Sequence, residues 1–292
     1  RARLKFVVAK FGIERFRELV AIERNKLTEE QLGTEQIRDF DLWTDRPLFP
    51  PGESFPETED PALQQWLRTN TRIQKQTGYS AVKVKVPTGD LTPVQLRGLA
   101  QLLRDQVGDT LRIGVDQSLF IRWVSWDRLL EVKQELEVLG LGDARAGGLG
   151  DATACPGSDT CKLGITSPRS LSHALDSVLS KYALEPALED LRIKISGCPN
   201  SCAQHHIADI GLFGASRTVN GSAAPHYMLY IGGRPGGMPV AGEKPGSGYG
   251  VRITKVPAAW TPEAVDRICG LYLEESEENE PWSNFARRLG RG

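Results

Sequence analysis

The chain has 292 residues, 40% of them apolar and 25% charged, with 36 basic against 37 acidic side chains and a formal net charge of -1. That length allows two domains with cores of their own. The charge balance excludes the strongly basic profile of a nucleic-acid binder, and no uninterrupted apolar run approaches the ~20 residues of a membrane helix.

The chain opens on Arg1 rather than Met, in a segment already helical in pattern: Leu4, Val7, Val8, Phe11, Ile13, Phe16, Leu19 and Val20 recur at helical spacing. We therefore expect an upstream portion to be missing, and with it any targeting segment. A Pro-rich stretch from Thr44 to Pro61 reads as a surface linker, followed by a short helix between Glu57 and Asn70. Ser80 to Val86 alternates as a strand. Thr92 and Pro93 open a helix reaching Val107, an N-cap followed by proline at the first helical position. Strands are expected at Leu111–Val115 and Leu119–Val124, then a helix from Trp126 to Leu139. This β-α-β-β-α order resembles a split, ferredoxin-like unit.

After Gly140 small residues crowd the chain. A helix is predicted from Ser167 to Tyr182, with Ser167 as cap and Pro168 at its first position. Strands follow at Leu191–Ser196, Ile207–Phe213, Tyr227–Ile231 and Val251–Val256. A loop over 232–250 holds eight glycines. A helix from Thr261 to Leu273 and an amphipathic segment with Trp282, Phe285 and Leu289 close the chain.

Five cysteines make a poor disulfide framework, and two close pairs point to metal or redox chemistry in a reducing compartment. Cys155 and Cys161 form a C-x5-C pair, Cys198 and Cys202 a C-x3-C pair, and the 36 residues between the pairs hold one helix and one strand. That excursion can return the second pair beside the first. Four thiolates suit a 4Fe–4S cluster or a structural zinc. The wide C-x5-C spacing favours the cluster, whose irons occupy separate corners. Three readings stand on spacing alone: cluster, zinc, and buried thiols. Proline follows the first cysteine of each pair and holds the turn open. The flanking residues are small, which leaves room for a bulky cofactor.

The strings TACPGSDTCKLGI and IKISGCPNSCA closely resemble the cysteine signature of the sirohaem nitrite/sulfite reductase family. TPVQLRGLAQLL and GVDQSLFIRWV resemble that family's half-domain, RARLKFVVAKFG the end of its first half, and the segment with Phe285, Arg287 and Arg288 its C-terminus. The resemblance implies an α+β fold. Residues 1–60 would be the terminal helix of a preceding half plus linker, 61–140 a ferredoxin-like half-domain, and 141–292 a sirohaem and 4Fe–4S domain. It implies six-electron reduction of nitrite to ammonia or of sulfite to sulfide. Cys155, Cys161, Cys198 and Cys202 would hold the cluster, and Cys202 would also ligate the sirohaem iron. Ala154, Ser196, Asn200 and Gln117 match the family's cofactor-contacting positions. A ferredoxin or flavoprotein would donate electrons, and the missing N-terminal half would be a partner. The expected compartment is a cytoplasm or an organelle stroma. The family's substrate-facing basic cluster has no match here, so no catalytic acid is assigned. The alternatives are a precorrin-3B synthase-like cluster protein and a zinc-stabilised module.

Four further features have less specific readings. Cys269 lies on the apolar face of a helix and reads as a core thiol. Either His205 or His206 could donate to a cofactor carboxylate, but both read rather as packing or hydration, and His173 as surface. The glycine-rich loop, with Arg234 and Lys244, reads equally as a cradle for cofactor carboxylates and as a plain surface loop.

Overall fold

Two units make up the chain, residues 1–46 and 47–292. The computed structural model describes residues 4–27, 46–108, 110–234, 248–278 and 280–289. In the first unit the opening helical pattern becomes two helices, α1 (Leu4–Phe11) and α2 (Ile13–Arg24). Gly12 separates them because it takes φ 78°, a left-handed conformation that glycine adopts without a Cβ clash.

The second unit begins in the Pro-rich stretch. Helix α3 (Pro61–Asn70) starts at Asp60, whose carboxylate accepts the Ala62 N–H. Four strands follow in a wholly antiparallel sheet: β1 (Thr71–Ile73), β2 (Tyr79–Val84), β3 (Arg112–Ile113) and β4 (Leu119–Ser125), in spatial order β1-β2-β4-β3. Between β2 and β3 lies α4 (Pro93–Gln106), opened by a full capping box of Thr92 and Gln95. After β4 the expected single helix starts as a tight turn over Trp126–Arg128 before α5 (Leu129–Val138). Val82, Val84, Leu99, Leu102, Ile121, Leu129 and Leu136 form the first core.

The second sheet is mixed, in order β5-β6-β7-β8-β9. Strand β5 (Thr153–Ala154), helix α6 (Pro168–Leu179) and strand β6 (Ile193–Ser196) form a crossover in which β5 and β6 run parallel. Strand β7 (Ile210–Val219) is parallel to β6 and antiparallel to β8 (Ser222–Ile231), which pairs with β9 (Val251–Pro257). Both β7 and β8 are longer than expected. They form one hairpin through Asn220 and Gly221, both at positive φ, the signature of a two-residue primed turn. Helices α7 (Thr261–Glu275) and α8 (Trp282–Leu289) complete the chain. The second core joins Leu175, Ile193, Ile195, Ile210, Leu212, Cys269 and Phe285. Among the described residues no helix is long and apolar enough to cross a membrane.

One local expectation changes. Ser167 stands at the N-cap of α6 but makes no capping bond. Its hydroxyl donates to Asp159 Oδ1 at 2.7 Å and so ties the first cysteine loop to the helix start.

Candidate cluster site

Because β5 and β6 are parallel, their C-terminal ends lie at the same edge of the sheet. Cys155 directly follows β5, and Cys198 follows β6 by two residues. The 36-residue excursion between the pairs therefore does return, and backbone bonds join the two loops. Cys155 N donates to Ile195 O at 3.1 Å, Ile165 N to Gly197 O at 2.8 Å, and Thr166 N to Gly197 O at 3.3 Å. Cys161 N closes its own loop on Gly157 O at 2.8 Å.

Glycines make this approach possible. A Cβ at Gly197 would lie 2.6 Å from Gly157 Cα, and one at Gly164 would lie 2.4 Å from the Gly157 carbonyl carbon. Both distances are below any real side-chain contact, so the loops meet backbone to backbone.

Of the four thiols, Cys198 is buried, Cys155 half-buried, and Cys161 and Cys202 exposed. The Gly197 N–H lies 3.1 Å from Cys155 Sγ. Such donors stabilise thiolate sulfur and tune the potential of a bound cluster. Four thiols on two joined loops, with a backbone N–H already on one sulfur, are the donor set that a 4Fe–4S cluster uses.

Gln117 connects the two sheets. Its Nε2 donates to Ala154 O and its Oε1 accepts from Ala154 N, both at 2.9 Å, so the amide occupies both polar groups of Ala154. Ser196 is buried, with its hydroxyl 3.0 Å from His205 Nδ1 and accepting Ala203 N at 3.3 Å. Asn200 is exposed on the same loop as Cys202. Cys269 is fully buried in the second core, and burial pushes its thiol up to about 12, far from a thiolate ligand's range. His173 is exposed on α6. His205 is fully buried, and burial, helped by neighbouring His206, pushes its imidazole down to about 4, so the ring is neutral at physiological pH. Most of the glycine-rich loop, residues 235–247 with Lys244, lies outside the described residues. Its described ends are anchored, Gly233 N on Ala208 O at 2.9 Å and Gly250 N on His206 O at 2.8 Å.

Sequence reasoning passed over the charged residues behind β5. Lys83 pairs with Asp116 at 2.6 Å, and Lys194 on β6 is buried with its ammonium 3.5 Å from Thr153 Oγ1. Burial lowers the Lys194 pKa against the opposing pull of Asp116. A cleft of about 670 Å³ lies at the other end of β6, lined by Arg72, Lys83, Arg145, Arg192, Arg234 and Asp209 among others. Arg192 there pairs with Asp209 at 2.8 Å. These residues come from distant parts of the chain, and no spacing pattern in the sequence links them.

Two parallel-strand ends carrying four cysteines, clamped to an antiparallel half-domain, define an iron–sulfur protein of α+β class. Residues 72–139 match the nitrite/sulfite reductase ferredoxin-like half domain, and residues 146–291 the nitrite and sulphite reductase 4Fe-4S domain. The chain belongs to the sirohaem nitrite/sulfite reductase family. It is 28% identical over 293 residues to sulfite reductase (ferredoxin) 1 of Mycolicibacterium paratuberculosis, covering 99% of this chain and 47% of that protein. It is 27% identical to the ferredoxin–nitrite reductase of Synechococcus elongatus, covering 84% of this chain and 42% of that protein. The solved structure of the Mycobacterium tuberculosis NirA protein superposes with a TM-score of 0.65 at 25% identity, covering 98% of this chain and 48% of that one. The chain spans about half the length of the curated relatives it matches.

Proposed function

We propose that this chain is the cluster- and sirohaem-binding half of an enzyme that reduces nitrite to ammonia or sulfite to sulfide. The observation that carries the reading is the pairing of the two cysteine loops at the ends of adjacent parallel strands, joined through Gly197. A sirohaem coupled to a cluster supplies one-electron transfer steps, six of which either reduction requires. Cys155, Cys161, Cys198 and Cys202 hold the cluster. Cys202 is also the ligand shared with the sirohaem, and its exposure at the loop tip supports that role. Asn200, exposed on the same loop, would contact the same cofactor. Gln117, Ala154 and Ser196 act on the cofactors by fixing the strand and loop that carry the cysteines. A ferredoxin or flavoprotein is the electron donor, the ferredoxin-dependent sulfite and nitrite reductases among the relatives favouring a ferredoxin, and a second half completes the substrate site. Two close cysteine pairs read as cluster ligands rather than as a disulfide framework suit a reducing compartment, a cytoplasm or an organelle stroma.

The test is iron and acid-labile sulfide on anaerobically purified protein. About four of each per chain is expected for one cubane. Stoichiometric zinc with no labile sulfide would overturn the proposal.

A further inference from the structure

We propose that His205 and His206 are positioning residues that set the direction of Cys202; the inference rests on the reading of Cys198 and Cys202 as cluster ligands. The backbone on both sides of Cys202 is in a conformation that non-glycine residues rarely hold. Ser201 takes φ 60° and Gln204 φ 62°. Such residues persist only where their surroundings over-determine them, and they gather at functional sites.

The two histidines supply those surroundings. His205 Nδ1 lies 3.0 Å from Ser196 Oγ, two residues before Cys198, and His206 Nδ1 lies 3.1 Å from Ser201 Oγ, one residue before Cys202. The same Ser196 oxygen accepts the Ala203 N–H, so the loop is gripped just beyond Cys202 as well.

Both rings are themselves fixed. Their centroids lie 4.1 Å apart with the planes tilted by 35°, and Phe213 lies 5.0 Å from His205 and Tyr230 5.1 Å from His206. Their backbone is fixed too. The His205 carbonyl sits where a Cβ on Gly211 would come within 1.9 Å, and the His206 carbonyl accepts from Gly250 N at 2.8 Å. Packing alone would be served by phenylalanine or leucine at either position. Two consecutive imidazoles that each place Nδ1 on a serine flanking a different cysteine form a second layer of polar support, of the kind that orients metal ligands. Cys202 itself stays exposed, with a direction set by its fixed flanks.

The test uses the complete enzyme with both cofactors loaded. The variants are His206→Leu, His206→Asn, Ser201→Ala and the double variant His206→Leu/Ser201→Ala. Asparagine places an amide near the position of Nδ1; leucine does not. The readout is the rate at which a chelator bleaches the cluster absorbance, with melting temperature measured alongside.

His206→Leu is expected to accelerate loss on the order of 10-fold, the usual effect of removing a second-layer partner, with an unchanged melting temperature. His206→Asn is expected to restore most of the parent rate. Ser201→Ala should match His206→Leu, and the double variant should be no worse than either, because one contact is removed in all three. A parent-like rate in His206→Leu, equal rates in the leucine and asparagine variants, or additive effects in the double variant would overturn the inference. His205→Leu and His205→Asn repeat the comparison at the buried site. If His205→Leu fails to fold, the His206 and Ser201 variants decide. A parent enzyme without labile sulfide would remove the ligand reading and this inference together, whereas parent-like variants of a cluster-loaded enzyme remove only this one.

Discussion

Gln117 shows how one side chain can tie a half-domain to a cofactor loop. Its own backbone is left-handed, at φ 67°, in the turn between β3 and β4. Its amide takes both polar groups of Ala154, the residue next to Cys155. Truncation would leave a buried N–H and a buried carbonyl without partners. Gln117→Ala is therefore expected to destabilise the protein by about 1–3 kcal/mol, read as a lower denaturant midpoint, and to reduce cluster retention. Full retention with an unchanged midpoint would show that the clamp is idle. The resemblance brought Gln117 forward as a cofactor-facing residue. Its partner, the Ala154 backbone, lies 37 residues away in another sheet, and only the folded structure identifies it.

At the level of elements, the segment that delivers the chain into β5 carries a pH-sensitive carboxyl. Asp151 is buried and accepts the Gly147 N–H at 2.7 Å. Burial pushes its carboxyl up to about 6, against the opposing pull of that N–H and of Lys85 and Lys83. In the unfolded chain the same group titrates near ~3.9. Between these values the native state holds a proton that the unfolded state has released, so stability falls as pH rises. The contribution is complete below about pH 4 and lost above about pH 6. Asp151→Asn keeps an oxygen for the Gly147 N–H and removes the titration. Denaturant midpoints measured from pH 4 to 7 should converge at the acid end. Above pH 6 the variant should be the more stable, by about 3 kcal/mol at most. Parallel curves would count against this assignment.

At the scale of the molecule, the ferredoxin-like sheet and the cluster sheet are joined by polar contacts of long sequence separation. Arg68 forks onto Glu189 with two bonds of 2.8 Å, and its hydrogen bonds hold that carboxylate below its ordinary pKa. Gln65 donates to Ala183 O, and Asn70 to Asp143 O. Together these bring the half-domain against the cysteine strands. All four proposed ligands lie in residues 155–202, so the 292-residue chain is expected to assemble a cluster on its own. On the proposed half-enzyme reading it is not expected to turn over, because the reduction also needs cations aimed at an anionic substrate, and that reading places them in the second half. On that reading, steady-state assays with reduced methyl viologen and nitrite or sulfite should show no activity for this chain alone, and co-expression with the proposed second half should restore it. Turnover of the isolated chain at ~1 s⁻¹ or faster would place the substrate site among residues to which no role is given.

The sequence by itself determined what is local. Thr92, Pro93 and Gln95 specify the start of α4 through a capping box that needs only four consecutive residues. The spacing of Cys155, Cys161, Cys198 and Cys202 contains the chemistry of the donor set, because ligand type and count are written in the chain itself. Element boundaries were less legible. Thr71–Ile73 is too short to show alternation, and the outer halves of β7 and β8 give no apolar strand pattern, the one being polar and exposed and the other a run of small residues broken by Pro225. Only the tertiary structure decided which distant groups meet: the Ala154 backbone with Gln117, Gly197 with Gly157, Glu189 with Arg68, and the two histidines with the two serines. Hydrophobic period and capping chemistry are properties of neighbouring residues, whereas these contacts depend on how strands pair and how closely backbones approach. A one-residue change in the register of β5 and β6 would part Ala154 from Gln117 without altering the local pattern that predicts the strands.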